Sequence, residues 1–267
     1  MIKKDELYNE QKQNAKIERT TLLSTVKALK GYKLDSLDGE IGKVKEFYFD
    51  DTYWTIRYLV ADTGNWLSGR KVLISPYALR AVNKKEQNIA INLTKKQIED
   101  SPPLDSDKPI SRQFEEYYYG NYGWPMYWDG PYEWGPYPYL AHNHKTLKEY
   151  QAEKKWEPHL RSTNVVSGYH VQASDGMIGK VENFIIDEEA WAIRYLIINT
   201  RNLWSGKVVL VSPRWIERVS WGELKVFVNL TRETIRQSPE YTEESLPTRD
   251  YEIRLHQHYN RQGYWEE

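Results

Sequence analysis

The segment Asp38–Val60, DGEIGKVKEFYFDDTYWTIRYLV, comes back 137 residues later as Asp175–Ile197, DGMIGKVENFIIDEEAWAIRYLI. No other feature limits the fold as much, because a repeat at a fixed offset means one structural plan used twice. The offset runs without a gap from Gly31–Pro102 onto Gly168–Pro239, with about 31 identities in 72 positions, among them Trp54/Trp191, Ser75-Pro76/Ser212-Pro213 and Asn92-Leu93-Thr94/Asn229-Leu230-Thr231. It continues into a tail. Arg112, Phe114, Glu115 and Tyr122 precede Arg249, Tyr251, Glu252 and Tyr259 by the same 137, and the tails end in aromatics at Gly123-Trp124 and Gly263-Tyr264-Trp265. The 267 residues therefore divide into an extension at 1–20, a first module at 21–102, an aromatic tail and linker at 103–160, a second module at 161–239 and a second aromatic tail at 240–267.

Within a module the periodicity is that of strands. Trp54, Ile56, Tyr58 and Val60 alternate with Thr55, Arg57, Leu59 and Ala61, a period of two. Asp38-Gly39 and Asp175-Gly176 open turns, and Gly42 and Gly179 soon after suggest a bulge or bend. A second hairpin turns at Thr63–Arg70 before a strand at Lys71–Ile74, which Ser75-Pro76 ends because proline has no N–H for a ladder. Tyr77–Val82 reads as a helical turn or a strand and Ile89–Leu93 as a strand, while Thr94 caps a short helix. Five or six short strands in about 70 residues predict an all-β chain: two small antiparallel barrels in tandem, each closed so that no edge is left exposed, with short helices and an aromatic-rich linker.

Three motifs carry a resemblance. G-Y-x-x-x-x-x-D-G-x-I-G-K-V at Gly31–Val44, W-x-I-R-Y-L at Trp54–Leu59 and V-L-x-S-P at Val72–Pro76, with their second copies, resemble the PRC-barrel domain. That fold is shared by the cytoplasmic part of the photosynthetic reaction-centre H subunit and the barrel of a bacterial ribosome-maturation factor. The resemblance implies a docking or assembly module and no shared catalytic centre.

Candidate chemistry is sparse. Zero Cys excludes disulfides and thiolate sites, and no phosphate loop, nucleophile elbow or zincin motif is present. Asp50-Asp51 and Asp187-Glu188-Glu189 could pair carboxylates for proton transfer or a cation, but solvated hairpin tips explain them more simply. His142-x-His144 and His256-x-His258 could share a metal only on extended backbone. No cofactor is expected. Arg57 and Arg194 lie in apolar strands, either to anchor a partner carboxylate or to lie across aromatic neighbours.

Thirty-seven basic residues against 38 acidic ones argue against a nucleic-acid-coating protein, and no stretch is apolar enough to span a membrane. The first residues contain no apolar signal core, so a cytoplasmic location is expected. Eleven Trp and 21 Tyr against five Phe bias the aromatics toward rings with a polar handle. They crowd into Tyr117–Tyr139, which does not read as a helix; Ser111–Tyr119 reads as a short amphipathic helix that hands the chain to a proline-punctuated, extended run. Leaving a dozen such rings exposed would make an aggregation-prone patch, so each tail is expected to lie on a barrel as a strap. Lys145–Leu160 reads as a helix leading into the second module.

The function expected from all this is a non-catalytic module that binds a protein partner of unknown identity. Its surface is formed by Trp66, Trp204, Arg57, Arg194, Trp124, Trp128 and Trp134, in grooves between barrels. A monomer with an internal pseudo-twofold is expected in preference to a homodimer. The alternatives are a small-ligand protein or enzyme using Asp50, Asp187, His142 and His144, and RNA binding by aromatic stacking.

Overall fold

The computed structural model describes residues 22–102, 112–127, 160–200, 206–242 and 245–266. The first copy opens with strand β1 (Leu23–Thr25) and a helical turn α1 (Val26–Leu29), then β2 (Lys33–Ser36), β3 (Gly39–Asp50), β4 (Thr55–Asp62) and β5 (Lys71–Ile74). A 3-10 turn at Pro76–Ala78 leads to β6 (Leu79–Asn83), β7 (Asn88–Ile91), α2 (Lys95–Glu99) and the tail helix α3 (Arg112–Tyr122). The second copy repeats this order as β8 (Leu160–Ser162), α4 (Thr163–Val166), β9 (His170–Ala173), β10 (Gly176–Asp187), β11 (Ala192–Asn199) and β12 (Val208–Val211). It ends with a 3-10 turn at Pro213–Trp215, β13 (Ile216–Ser220), β14 (Lys225–Val228), α5 (Arg232–Gln237), the tail helix α6 (Arg249–His258) and a last 3-10 turn at Tyr264–Glu266. Every strand start in the second copy lies 137 residues after its counterpart.

Two compact units result. The first takes its described residues from 26–165 and 190–192, the second from 1–25, 166–189 and 193–267. In the first the ladder order is β6-β7-β2-β3-β4, with β5 beyond β4 and β8 beside β3; in the second it is β13-β14-β9-β10-β11, with β12 beyond β11 and β1 beside β10. Two expectations are corrected here. The ladder is open, since among the described residues β5 pairs with β4, β6 pairs with β7, and the two do not pair with each other. It is also not wholly antiparallel, because β2 lies parallel to β7 and β9 parallel to β14, a pairing reached by the long crossover through β3 to β6 that a parallel pair requires.

The glycine and aspartate signatures explain the tight corner. A Cβ on Gly42, at φ +134°, would lie 2.1 Å from the Asp62 carbonyl oxygen, and one on Gly179 would lie 2.2 Å from that of Asn199, so only glycine permits the strands to approach. Asp38 does more than turn the chain. Its carboxylate accepts the Lys95 N–H at 2.7 Å, and Asp175 does the same for Arg232, so each turn caps the start of a helix 57 residues away.

Ladder irregularity re-aims one residue. Opposite β3, Tyr48 pairs with Tyr58 and Phe49 with Ile56, which leaves Arg57 as the extra residue of a bulge. All of Ile56–Ala61 is buried, more than one sheet face can account for. The second cover is the tail. Tyr118, Tyr119 and Tyr127 form a buried cluster with Tyr58, Val60, Leu73 and Leu160, and Tyr122 and Trp124 pack against it.

The helix expected at Ser111–Tyr119 forms as α3 and runs on to Tyr122, into the stretch read as extended, because Tyr118, Tyr119 and Tyr122 fall on one face that has a core to cover. The helix stops in a Schellman turn at Gly123, φ +64°, where Gly123 N–H donates to Gly120 and Trp124 N–H to Tyr119. Both described tails lie on their own copy's sheet, as a strap should. The proposed helix at 145–160 lies outside the described residues apart from Leu160, which begins β8.

Candidate functional site

Two features recur in both units: a buried polar cluster that seats the tail, and a surface groove at the glycine bulge.

The cluster begins at the hairpin tips. Asp50 is 4% exposed and accepts backbone N–H groups from Thr52 at 2.9 Å and Tyr53 at 3.2 Å, while its other oxygen faces Arg57 at 3.4 Å. The fully buried Arg57 guanidinium lies 4.0 Å from the centre of the Tyr127 ring. Tyr127 donates to Glu115 at 2.8 Å, and Tyr58 reaches the same oxygen at 3.1 Å. The second unit repeats the chain of contacts. Arg194 bonds Asp187 at 2.7 and 3.2 Å and lies 4.2 Å from the Tyr264 ring, and Tyr264 and Tyr195 donate to Glu252 at 2.9 and 3.0 Å.

This geometry corrects several readings. The acidic tips are only partly solvated: Asp50 and Asp187 are held by their arginines, Asp51 pairs with Arg161 at 3.2 Å and Glu188 accepts from Ser24, while Glu189 is exposed. Arg57 and Arg194 are 0% and 6% exposed, so neither guanidinium is presented to a partner; each is committed to an aspartate and a tyrosine ring. Asp50 and Asp187 belong to different units.

His256 and His258 sit on helix α6, where two positions apart means opposite faces. His256 bonds Tyr195 and the Gln262 carbonyl, and His258 the Thr234 carbonyl at 2.8 Å. His142 and His144 lie outside the described residues, as do Trp128, Trp134 and Trp204. Trp124, half-buried, stacks on Tyr122 with ring centres 4.5 Å apart and on Tyr77 at 5.8 Å, and so belongs to the strap.

Burial tunes the second cluster. It pushes the Glu252 carboxyl up, against the pull of Arg249, and lowers His256, with Arg214 and Arg249 adding to the effect. Tyr195 and Tyr264 are held well above the ordinary phenol range by burial beside Glu252. With Glu115 2% and Glu252 0% exposed, these carboxylates hold structure together and do not meet a substrate.

The repeat at 137 contained Glu115/Glu252 in plain view, and the in-register pair Tyr127/Tyr264 as well. The Gly-Trp endings do not share that register, since Trp124 falls opposite Arg261 at that offset.

Among the sequence candidates, Trp66 alone both lies in the described residues and faces solvent in a concavity. A groove of about 660 Å³ follows the bulge of the first unit, lined by Gly31, Gly42, Lys43, Lys45, Asp62 and Trp66. Lys95 Nζ stands 5.8 Å from the centre of the Trp66 ring. The second unit has its counterpart, about 360 Å³, lined by Gly168, His170, Met177, Gly179, Lys180 and Asn199. His170 Nδ1 there is buried without a hydrogen-bond partner among the described residues. Each groove lies within one module, at the place where a glycine is demanded by close backbone approach.

Each copy is thus a small, mostly β module with a covered flank and a surface groove. Residues 29–98 match the family described as the PRC-barrel domain, a span that takes in β2 to β7 and reaches into α2. No curated protein matches the chain. Among the described residues no helix is long and apolar enough to cross a membrane.

Proposed function

We propose that this protein is a non-catalytic interaction scaffold built from two PRC-type modules, the second being the copy at 161–239, and that a protein partner is held at the bulge grooves. The observation that carries this reading is the recurrence of one groove in both copies at equivalent positions, while the buried polar clusters are spent on seating the tails. Trp66, Lys43 and Lys45 would supply an aromatic face and two cations to an extended acidic segment of the partner; in the second module Lys180 is the counterpart of Lys43, beside Met177 and His170, and Glu182 stands where the first has Lys45. The two grooves differ in lining, which suits two different segments. In this reading one chain is the working unit.

The test is photo-crosslinking in cells from a benzophenone residue placed at Lys43 or Trp66, with Lys85 on the exposed β6–β7 turn as control. A discrete partner band from both groove positions and not from Lys85 is expected. Equal labelling at all three, or none at the groove, defeats the proposal.

A further inference from the structure

The leading strand of each copy is not paired where the chain order would put it. β1 precedes the first copy, yet it runs antiparallel to the end of β10, with Leu23 opposite Asp187, Ser24 opposite Ile186 and Thr25 opposite Ile185. β8 precedes the second copy and pairs in the same way with the end of β3, Leu160 opposite Asp50, Arg161 opposite Phe49 and Ser162 opposite Tyr48. The two registers are the same when shifted by 137. Side chains repeat the correspondence. Ser24 donates to Glu188 at the place where Arg161 meets Asp51, and Leu23 and Leu160 are 2% and 6% exposed. Backbone and hydroxyl contacts extend each seat, with Glu188 N–H donating to Leu22 at 2.8 Å in one and Phe47 N–H to Thr163 Oγ1 at 3.4 Å in the other. The unit boundaries fall after these strands, between Thr25 and Val26 and between Val165 and Val166, so β1 is counted with the second unit and β8 with the first.

We propose that the edges at Tyr48–Asp50 and Ile185–Asp187 are interchangeable seats for a leading strand, and that the two halves of this chain, made as separate polypeptides, assemble by donating that strand to each other. A second copy of the chain carries the same strands and fits the same seats, so the same pairing is open to exchange between molecules. An edge filled by a donated strand is also an edge withheld from aggregation. The proposal does not depend on the groove reading.

The test cuts purified full-length protein once, at a protease site placed within residues 128–159. The halves are expected to co-elute from a sizing column, and the melting temperature of the cut protein, unlike that of the uncut, is expected to rise with concentration, because a bimolecular assembly obeys mass action. Halves that separate without denaturant overturn the proposal. In the cut protein Leu23→Ala with Leu160→Ala should weaken association at least tenfold, and an unchanged dissociation constant also overturns it. If the uncut double variant loses its cooperative melt, Leu23→Val alone in the cut protein, expected to weaken association about threefold or more, decides in the same way.

Discussion

Tyr118 is a side chain acting as a strand. Its hydroxyl accepts the Ser75 N–H at 3.1 Å and donates to the Leu73 carbonyl at 3.0 Å, the two groups that the free edge of β5 would otherwise leave bare. Carbonyl of one residue and N–H of the residue two further on is the pair that a neighbouring parallel strand would engage. Tyr118→Phe removes one oxygen and almost no volume, so the cavity cost is small and the hydrogen-bond cost stands nearly alone. Ser75 and Leu73 are 0% and 1% exposed, so neither group recovers a bond from water. Each orphan costs about 1–3 kcal/mol, and the pair about 2–4 kcal/mol once local adjustment is allowed. That is roughly a 30- to 1,000-fold rise in the local opening equilibrium. Amide exchange at Ser75 measures it directly, with Tyr117→Phe, at a position 67% exposed, as the neutral control. Ser75 exchange changed less than twofold in Tyr118→Phe would refute the idea that the tail closes this edge.

Gly42→Ala should cost more than about 2 kcal/mol in chemical denaturation of the first unit, since the added carbon meets the Asp62 carbonyl, whereas Gly64→Ala, with open space around it, should cost only the strain of its positive φ. Arg57→Ala strands Asp50 in the interior and should destabilise by about 3–5 kcal/mol, read from urea midpoints; Arg57→Lys, lacking the planar group that lies over Tyr127, should fall between. His256 predicts a pH dependence confined to the second unit. Its folded pKa is lowered, so its contribution is intact above the ordinary value of about 6.5 and is lost as pH falls below it. Glu252, raised, acts in the opposite sense, its contribution being present below the ordinary carboxyl range and lost as pH rises through its elevated value. His256→Tyr, the residue found at position 119, should therefore gain on the wild type in melting temperature as pH drops from 7 to 5; parallel curves would contradict it. The ring faces Tyr195, Trp215 and Trp265, with Arg214, Arg249, Glu252 and Glu266 as the charges around it.

The ladder of strands was legible because period-two patterning and turn residues act locally. Lys71–Ile74 and the Thr94 cap lie where the residues place them, and the cap is a full box with Gln97. The misreadings share a different origin. Whether the helix runs on past Tyr119 to Tyr122 depends on there being a flank of β4 to cover, and whether Asp50 is solvated depends on Arg57 being turned inward by a bulge, neither of which is a property of its own neighbourhood in sequence. The pairing of β1 and β8 is harder still, since both strands take equivalent registers on the two copies and only the path of the chain distinguishes them. Barrel closure failed for a related reason: a tyrosine hydroxyl and a helix were available to do for β5 what another strand would have done.

What the two copies share in the clasp is more informative than the clasp itself. Asp50, Arg57, Tyr58, Glu115 and Tyr127 all reappear unchanged as Asp187, Arg194, Tyr195, Glu252 and Tyr264, whereas Tyr77, Tyr118 and Tyr119 become Arg214, Leu255 and His256. Interior packing accepts substitutes of similar volume, but a buried chain of aspartate, arginine, tyrosine and glutamate tolerates no single replacement, because each loss leaves a charge or a hydroxyl without its partner. The polar chain therefore fixes where each tail sits, and the surrounding residues set how firmly. Around that shared chain, Tyr118 bridges β5 by hydrogen bonds in the first unit, whereas in the second His256, on α6, bonds Tyr195 and the Gln262 carbonyl.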